Sequence, residues 1–231
     1  MALDTKLHNT KLRQIFQDIY ADNELAAQVV FKGGTCLMFF YDIDRFSTDL
    51  DFDIRDGVEK VSAARITKIV NKYLTVDSDR EKRFTYFWHG SYGKGFMGVK
   101  VEINKRKHKQ RIVYKDFMGL NVATLAPELM FAQKLCAITE RTELQNRDLY
   151  DANFMFEQGW DIDQDVIAAR QKKSVKEYLE YLTEYLDNDK IRTNILQGLG
   201  EVLVQPRKDW AKDCLVDSLL RQIKIRIDSL K

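Results

Sequence analysis

The stretch that most constrains this chain is residues 31–52, Phe-Lys-Gly-Gly-Thr-Cys-Leu-Met-Phe-Phe-Tyr-Asp-Ile-Asp-Arg-Phe-Ser-Thr-Asp-Leu-Asp-Phe. An apolar run, Val29-Val30-Phe31, stops at the pair Gly33-Gly34, and Thr35 then opens a short apolar helix through Tyr41. Strand, glycine turn and helix follow in that order. Glycine has no Cβ, so the backbone there can take positive φ and let a ligand approach closely, while free N–H groups at a helix start favour a phosphate.

The second half of the constellation is Asp49-Leu50-Asp51-Phe52-Asp53-Ile54, an alternation of acid and apolar residue that suits a strand with one buried face. Asp49 and Asp51 then point the same way, about 7 Å apart along the strand. Carboxylates so placed can bridge two Mg²⁺ ions about 4 Å apart, an arrangement that stabilises both the entering and the leaving oxygens of phosphoryl transfer. Repulsion between the acids is costly without a cation, so the pair itself points to a metal, Mg²⁺ or Mn²⁺. Taken singly, a glycine pair is often a turn, and alternating acids are often a solvated strand face or an isolated Ca²⁺ site. In this order they are far more specific.

Gly33-Gly34, an intervening helix and then Asp49-x-Asp51 resembles the signature of the polymerase-β-like nucleotidyltransferase superfamily. The fuller string, Lys32-Gly33-Gly34-Thr35 followed by Arg45-Phe46-Ser47-Thr48-Asp49-Leu50-Asp51-Phe52, is similar to one branch of it, the AbiEii/AbiGii abortive-infection toxin family, which includes the MenT toxins of mycobacteria. The resemblance implies that Asp49 and Asp51 hold the metal. It makes Lys32, Gly33, Gly34, Thr35, Arg45 and Ser47 candidate nucleotide contacts, the phosphates falling to Gly33, Gly34 and Thr35 or Ser47.

Two later motifs extend the likeness. In the family a lysine in a Lys-Leu-x-Ala-like helix and an aspartate in an Arg-Asp-x-Tyr-Asp-like motif complete the site, and Lys134-Leu135-Cys136-Ala137 and Arg147-Asp148-Leu149-Tyr150-Asp151 match both. Lys134 would then bind the triphosphate as a compact positive charge, with Asp148 orienting it or the acceptor. Read locally, Lys134 is a surface lysine and Asp148 a first-turn acid, while Arg147 and Asp151 are candidates for bracing helix packing. Glu102, between apolar neighbours in Lys100-Val101-Glu102-Ile103, matches in kind the third carboxylate that the superfamily places beside the Asp-x-Asp strand, as general base or metal ligand. Its other reading is a solvated acid opposite Lys100 and Asn104.

Around these motifs, helical spacing covers residues 5–23, 58–74 and 128–141, a helix starts near Asn146, and amphipathic helices follow at 166–170, 175–186, 191–199 and 210–230. Strands are expected at 84–88 and 99–103, joined by a glycine-rich turn. Tyr178, Tyr181, Leu182 and Tyr185 form a stripe of core type. The run 104–111, Asn-Lys-Arg-Lys-His-Lys-Gln-Arg, is the densest basic segment, either a solvated loop or a contact for RNA phosphates.

Composition adds bounds. With 231 residues, 45% hydrophobic, and a formal net charge of +2, the chain can build one large domain or two small ones. No eighteen-residue apolar run or apolar signal core is present, so a cytoplasmic protein without membrane contact is expected. Cys36, Cys136 and Cys214 are spaced as buried free thiols, and with the scattered His8, His89 and His108 they support no zinc site.

The expected fold is α+β: a polymerase-β-like nucleotidyltransferase core, a small mixed sheet flanked by helices, over residues 1–122, and a helical domain over 123–231 that contributes Lys134 and Asp148 to the site. The expected reaction is Mg²⁺-dependent transfer of NMP from an NTP to an acceptor, with pyrophosphate leaving. Family resemblance implies that the acceptor is the 3′ end of tRNA, and that an antitoxin is encoded nearby which need not bind the toxin. A protein hydroxyl or small molecule as acceptor, and a binding module without turnover, are the alternatives.

Overall fold

The computed structural model describes residues 3–230. These divide into two compact units, one formed by residues up to 42 together with 46–126, the other by residues 43–45 together with 127 onward. The break near residue 126 falls four residues later than the sequence pattern suggests, and the return of residues 43–45 to the second unit has no sequence signal.

The first unit contains helices α1 (Thr5–Ala21) and α2 (Asn23–Gln28), strand β1 (Val29–Lys32), helix α3 (Gly33–Phe40), strand β2 (Asp49–Ile54), helix α4 (Ala63–Tyr73) and strands β3 (Thr75–Glu81), β4 (Thr85–Ser91), β5 (Val99–Asn104), β6 (Ile112–Phe117) and β7 (Leu120–Leu125). Asp4 and Asp22 cap the first two helices by accepting backbone N–H bonds, Asp4 from Leu7 and Asp22 from Glu24 and Leu25. The strands form one mixed sheet in the order β3-β4-β5-β2-β1-β7-β6. β2 runs antiparallel to β1 and parallel to β5.

Period-two alternation gives this sheet one apolar face. Phe31, Leu50, Phe52, Tyr86, Trp88, Val101 and Ile103 are all buried there. The Phe16 ring of α1 lies 4.6 Å from Phe31 and 4.9 Å from Phe117, and Trp88 Nε1 donates to Thr67 Oγ1 of α4 at 2.8 Å. Each large side chain so buried contributes roughly 1.5–3 kcal/mol, and a slip of β2 by one residue would turn its acids into that core. The register is therefore strongly fixed, and with it the position of every acid on the opposite face.

The second unit contains helices α5 (Pro127–Glu140), α6 (Asn146–Glu157), α7 (Gln164–Gln171), α8 (Val175–Leu186), α9 (Asp189–Thr193), a single 3₁₀ turn (Gly200–Val202) and the long α10 (Gln205–Ser229). Ser174 and Glu177 close the start of α8 as a reciprocal capping box. Leu129, Phe131, Leu135, Leu149, Ile167, Leu182, Leu215 and Leu219 are fully buried in this unit, and the Tyr178 hydroxyl donates to the Leu135 carbonyl at 2.7 Å.

Several expectations are corrected. The helix read over 58–74 begins only at Ala63, because residues 58–62 leave the helical path. Strand β3, Thr-Val-Asp-Ser-Asp-Arg-Glu, lies at the sheet edge with most side chains exposed, so it lacks the apolar alternation that announces a strand. Within the tyrosine stripe, Tyr178 and Leu182 are core whereas Tyr181 is 40% exposed. Cys36 and Cys136 are buried free thiols, but Cys214 is exposed.

Candidate active site

In the first unit the acids of β2 lie on the polar face of the sheet, opposite defined partners. Across the parallel β2–β5 pair Asp49 faces Lys100, Asp51 faces Glu102 and Asp53 faces Asn104, while Lys32 of β1 faces Asp51 from the other side. Directly opposite residues share a face. The sheet thus brings together Asp49, Asp51 and Glu102, three of the five catalytic candidates.

Lys100 Nζ lies 3.1 Å from Asp49 Oδ2 and 3.6 Å from Glu102 Oε2. Burial opposes its charge, but Asp49, Glu102 and Asp51 more than restore it, so its pKa is raised. Three carboxylates against one ammonium leave this cluster two negative charges in excess. The cost falls on Asp51, whose carboxyl is pushed up to about 6 by burial first and by Asp49 second, against the pull of Lys100. Among the described residues no group of three His, Cys, Asp or Glu side chains is gathered tightly enough to hold a metal as it stands. Oxygen donors with an unbalanced charge of minus two nevertheless fit one divalent hard cation in kind and in charge.

The neighbouring acid is a different matter. Asp53 is fully buried and is neutralised by Lys32 Nζ at 2.6 Å and His108 Nε2 at 2.8 Å, with Asn104 Nδ2 donating at 2.9 Å. Burial alone would raise its pKa; Lys32 and His108 reverse that and hold it below the usual carboxylate value. Lys32, a candidate nucleotide contact in the sequence, is therefore committed to Asp53. So is part of the basic run, since His108 serves Asp53 and Lys105 pairs with Glu81 at 2.8 Å.

The glycine turn is shaped by the same acids. Gly33 is the first residue of α3 and has φ +82°, and a Cβ placed on it would meet Asp51 Oδ2 at 2.7 Å. Positive φ and close approach of a carboxylate both demand glycine here. Gly34 stands in the same first turn, which no side chain caps. Thr35 is fully buried and its hydroxyl donates to the Asp49 carbonyl, tying α3 to β2. Ser47 is also buried. Just ahead of β2, buried His8 donates from Nε2 to the Thr48 carbonyl at 2.9 Å and pairs through Nδ1 with the Tyr92 hydroxyl at 3.1 Å, and burial lowers its pKa.

In the second unit Lys134 of α5 is held by two aspartates of α6, Asp148 Oδ1 at 2.7 Å and Asp151 Oδ2 at 3.0 Å. Asp148 and Asp151 are one helical turn apart and share a face. Arg45 takes Asp151 in a two-pronged grip, at 2.5 Å through Nε and 2.7 Å through its terminal nitrogen, and Arg141 Nε reaches Asp148 at 2.9 Å. Burial alone would raise Asp151, but Arg45 and Lys134 hold it down to about 2. Lys134 is raised, burial being outweighed by Asp148 and then Asp151. Three cations on two carboxylates leave this cluster one positive charge in excess. Arg45 is 5% exposed, so this candidate nucleotide contact is committed to the ion pair.

A family model described as nucleotidyl transferase AbiEii toxin, type IV toxin–antitoxin system, matches residues 14–215. The chain belongs to the AbiEii family. This AbiEii chain is therefore a nucleotidyltransferase on the toxin side of a toxin–antitoxin system. Its fold is that of a crystallised candidate nucleotidyltransferase from H. pylori, with a TM-score of 0.64 at 18% identity over 100% of this chain and 99% of that one. JHP933 from Helicobacter pylori is similar at a TM-score of 0.57 and 17% identity, covering 100% and 98%. No curated protein matches the chain. No helix among the described residues is long and apolar enough to cross a membrane.

Two residues central to the AbiEii geometry escaped the sequence reading. Lys100 is visible there as a lysine two positions before Glu102, which places it on the same strand face, but only the β2–β5 register sets it on Asp49. His8 lies 40 residues from the Thr48 carbonyl it binds, and no local pattern joins them.

Proposed function

We propose that this AbiEii chain transfers a nucleoside monophosphate from an NTP to the 3′-terminal hydroxyl of tRNA. The observation that carries the reading is the alignment of Asp49, Asp51 and Glu102 on one sheet face, with Gly33 fitted against Asp51. Asp49 and Asp51 would hold a Mg²⁺ ion, which when bound supplies charge neutralisation for the nucleotide phosphates. Glu102 accepts the proton of the attacking hydroxyl. That oxygen forms a bond to the α-phosphorus, the bond from the α-phosphorus to the bridging oxygen of the β-phosphate breaks, and the electron pair leaves with pyrophosphate. The first-turn N–H groups at Gly33 and Gly34 favour phosphate oxygens. Lys134, in its cluster of excess positive charge, is assigned to the triphosphate by family resemblance, with Asp148 and Asp151 fixing its ammonium.

The test is incubation of wild type and Asp51→Ala with Mg²⁺, each α-labelled NTP in turn and total tRNA, read on a denaturing gel. A labelled tRNA band from wild type alone is expected, and it names the NTP. Label on protein or on a small molecule instead would replace the acceptor. No label at all, with a cellular phenotype that survives Asp51→Ala, would make the chain a binding module.

A further inference from the structure

The register places one more group beside the acids. Glu102 of β5 pairs with Phe87 of β4, and Phe87 pairs with Arg80 of β3. One row across the polar face therefore reads Lys32, Asp51, Glu102, Phe87, Arg80. Neighbouring strands lie about 4.8 Å apart, so Phe87 is one strand from Glu102 and two from Asp51.

Phe87 is out of place by the ordinary rules of a sheet. Its neighbours along β4, Tyr86 and Trp88, are buried on the apolar face, whereas Phe87 is half-exposed among Glu102, Thr85, His89 and Arg80. Among the described residues no other aromatic ring packs on it; Lys82 Nζ lies 4.2 Å from its ring centroid. Arg80 and Lys82 are exposed and have no carboxylate partner among the described residues. Lys105 and His108, from the basic run read as either a solvated loop or a contact for RNA phosphates, are by contrast paired with acids.

We propose that Phe87, Arg80 and Lys82 form the subsite for the unpaired 3′-terminal nucleotides of the acceptor RNA. The inference rests on the nucleotidyl-transfer reading for the role of Glu102. A hydroxyl that gives its proton to Glu102 belongs to a nucleotide whose base is within reach of the next strand, where Phe87 offers a flat apolar ring. Stacking on an aromatic platform is how proteins hold unpaired bases whatever their sequence, and two unmatched cations beside the ring complement the phosphates on either side of that base.

The experiment measures equilibrium binding of a fluorescent single-stranded RNA hexamer with a free 3′-hydroxyl, by anisotropy, to the full chain and to Phe87→Ala, Phe87→Tyr and Arg80→Gln/Lys82→Gln. Binding of NTP is measured in parallel by equilibrium dialysis. Loss of one stacked base weakens binding about tenfold or more. We expect that loss in Phe87→Ala, near-wild-type affinity in Phe87→Tyr, a salt slope shallower by about 1–2 in the double variant, and unchanged NTP binding in all three. RNA binding by Phe87→Ala equal to wild type overturns the subsite. So does a parallel loss of NTP binding, or failure of Phe87→Tyr to restore affinity, because each marks a packing role. Failure of nucleotidyl transfer shows separately, as absence of labelled RNA from wild type, and leaves this binding readout intact.

Discussion

Gly33 and Asp51 are fitted to each other: a Cβ on Gly33 would stand 2.7 Å from Asp51 Oδ2, in a backbone held at φ +82°. The glycine turn and the acidic strand are thus one unit of structure. Gly33→Ala forces the carboxylate aside and places an L-residue in left-handed backbone, a strain of about 1–2 kcal/mol before any repacking. We expect a fall of several degrees in the unfolding temperature and at least a tenfold loss of nucleotide transfer, measured by thermal melt and label incorporation. Wild-type transfer by Gly33→Ala would break the link between turn and acid.

The elevated Asp51 carboxyl gives a pH signature to metal-free protein. Its folded value near 6 exceeds the ordinary 3.8, so the favourable balance is complete below about 4 and is lost as pH rises through 6. Asp51→Asn removes the ionised group at equal size. Urea unfolding in chelator should show the variant more stable than wild type at pH 7.5, by at most about 3 kcal/mol, and the two converging near pH 4. An advantage equal at both pH values would assign the effect to packing instead.

Asp151 anchors the second unit through Arg45 and Lys134, and removing this buried shared carboxylate takes from Arg45 its two-pronged acceptor and leaves Lys134 with Asp148 alone of the two aspartates. Asp151→Ala should cost about 3–5 kcal/mol by denaturant unfolding, and Arg45→Met/Asp151→Leu should recover a large part of that loss. Because Asp151 is held down at about 2, its contribution is present above the ordinary carboxylate value and disappears as pH falls through 2. A stable, unperturbed Asp151→Ala would show that the pairing carries little of the fold.

Lys100 supplies positive charge to Asp49 and Glu102, so it competes with any cation those acids hold. Lys100→Gln raises the excess from two to three negative charges. Mn²⁺ titration followed by electron paramagnetic resonance should show affinity increased by about tenfold or more, a change of some 1.4 kcal/mol or more. Unchanged or weaker Mn²⁺ binding would mean that the lysine positions the acids and does not oppose the ion.

The strand 49–54 was legible in full because its alternation separates two faces, and helices α5 and α8 because their apolar spacing is regular; the helix expected over 191–199 instead ends at Thr193, with turns over 194–199, and α10 begins at Gln205 and not at 210. The acids Asp49 and Asp51 could be named from sequence for the same reason, since a strand face is a matter of parity, whereas Glu102 was named by its likeness to the superfamily's third carboxylate. What parity does not give is the partner. Lys32, Thr35 and Arg45 all read as candidates for a nucleotide, yet Asp53, the Asp49 carbonyl and Asp151 take them. An ion pair between residues 45 and 151 leaves no mark in the local sequence of either. Edge strand β3 was invisible because its side chains face water, and so were Arg80 and Lys82 as neighbours of Phe87.

Residues 43–45 belong to the second unit although the chain returns to the first on either side of the excursion. Synthesis proceeds in the other order. Arg45 leaves the ribosome 106 residues before Asp151, a delay of roughly 5–20 s at ordinary elongation rates. Through that interval the nascent chain carries the complete Gly33 turn and Asp49–Asp51 strand while Asp151, which grips the guanidinium four residues upstream of Asp49, is still to be made. A toxin so arranged is finished late: its acidic strand is made early, and the segment leading into it is secured only when α6 has emerged.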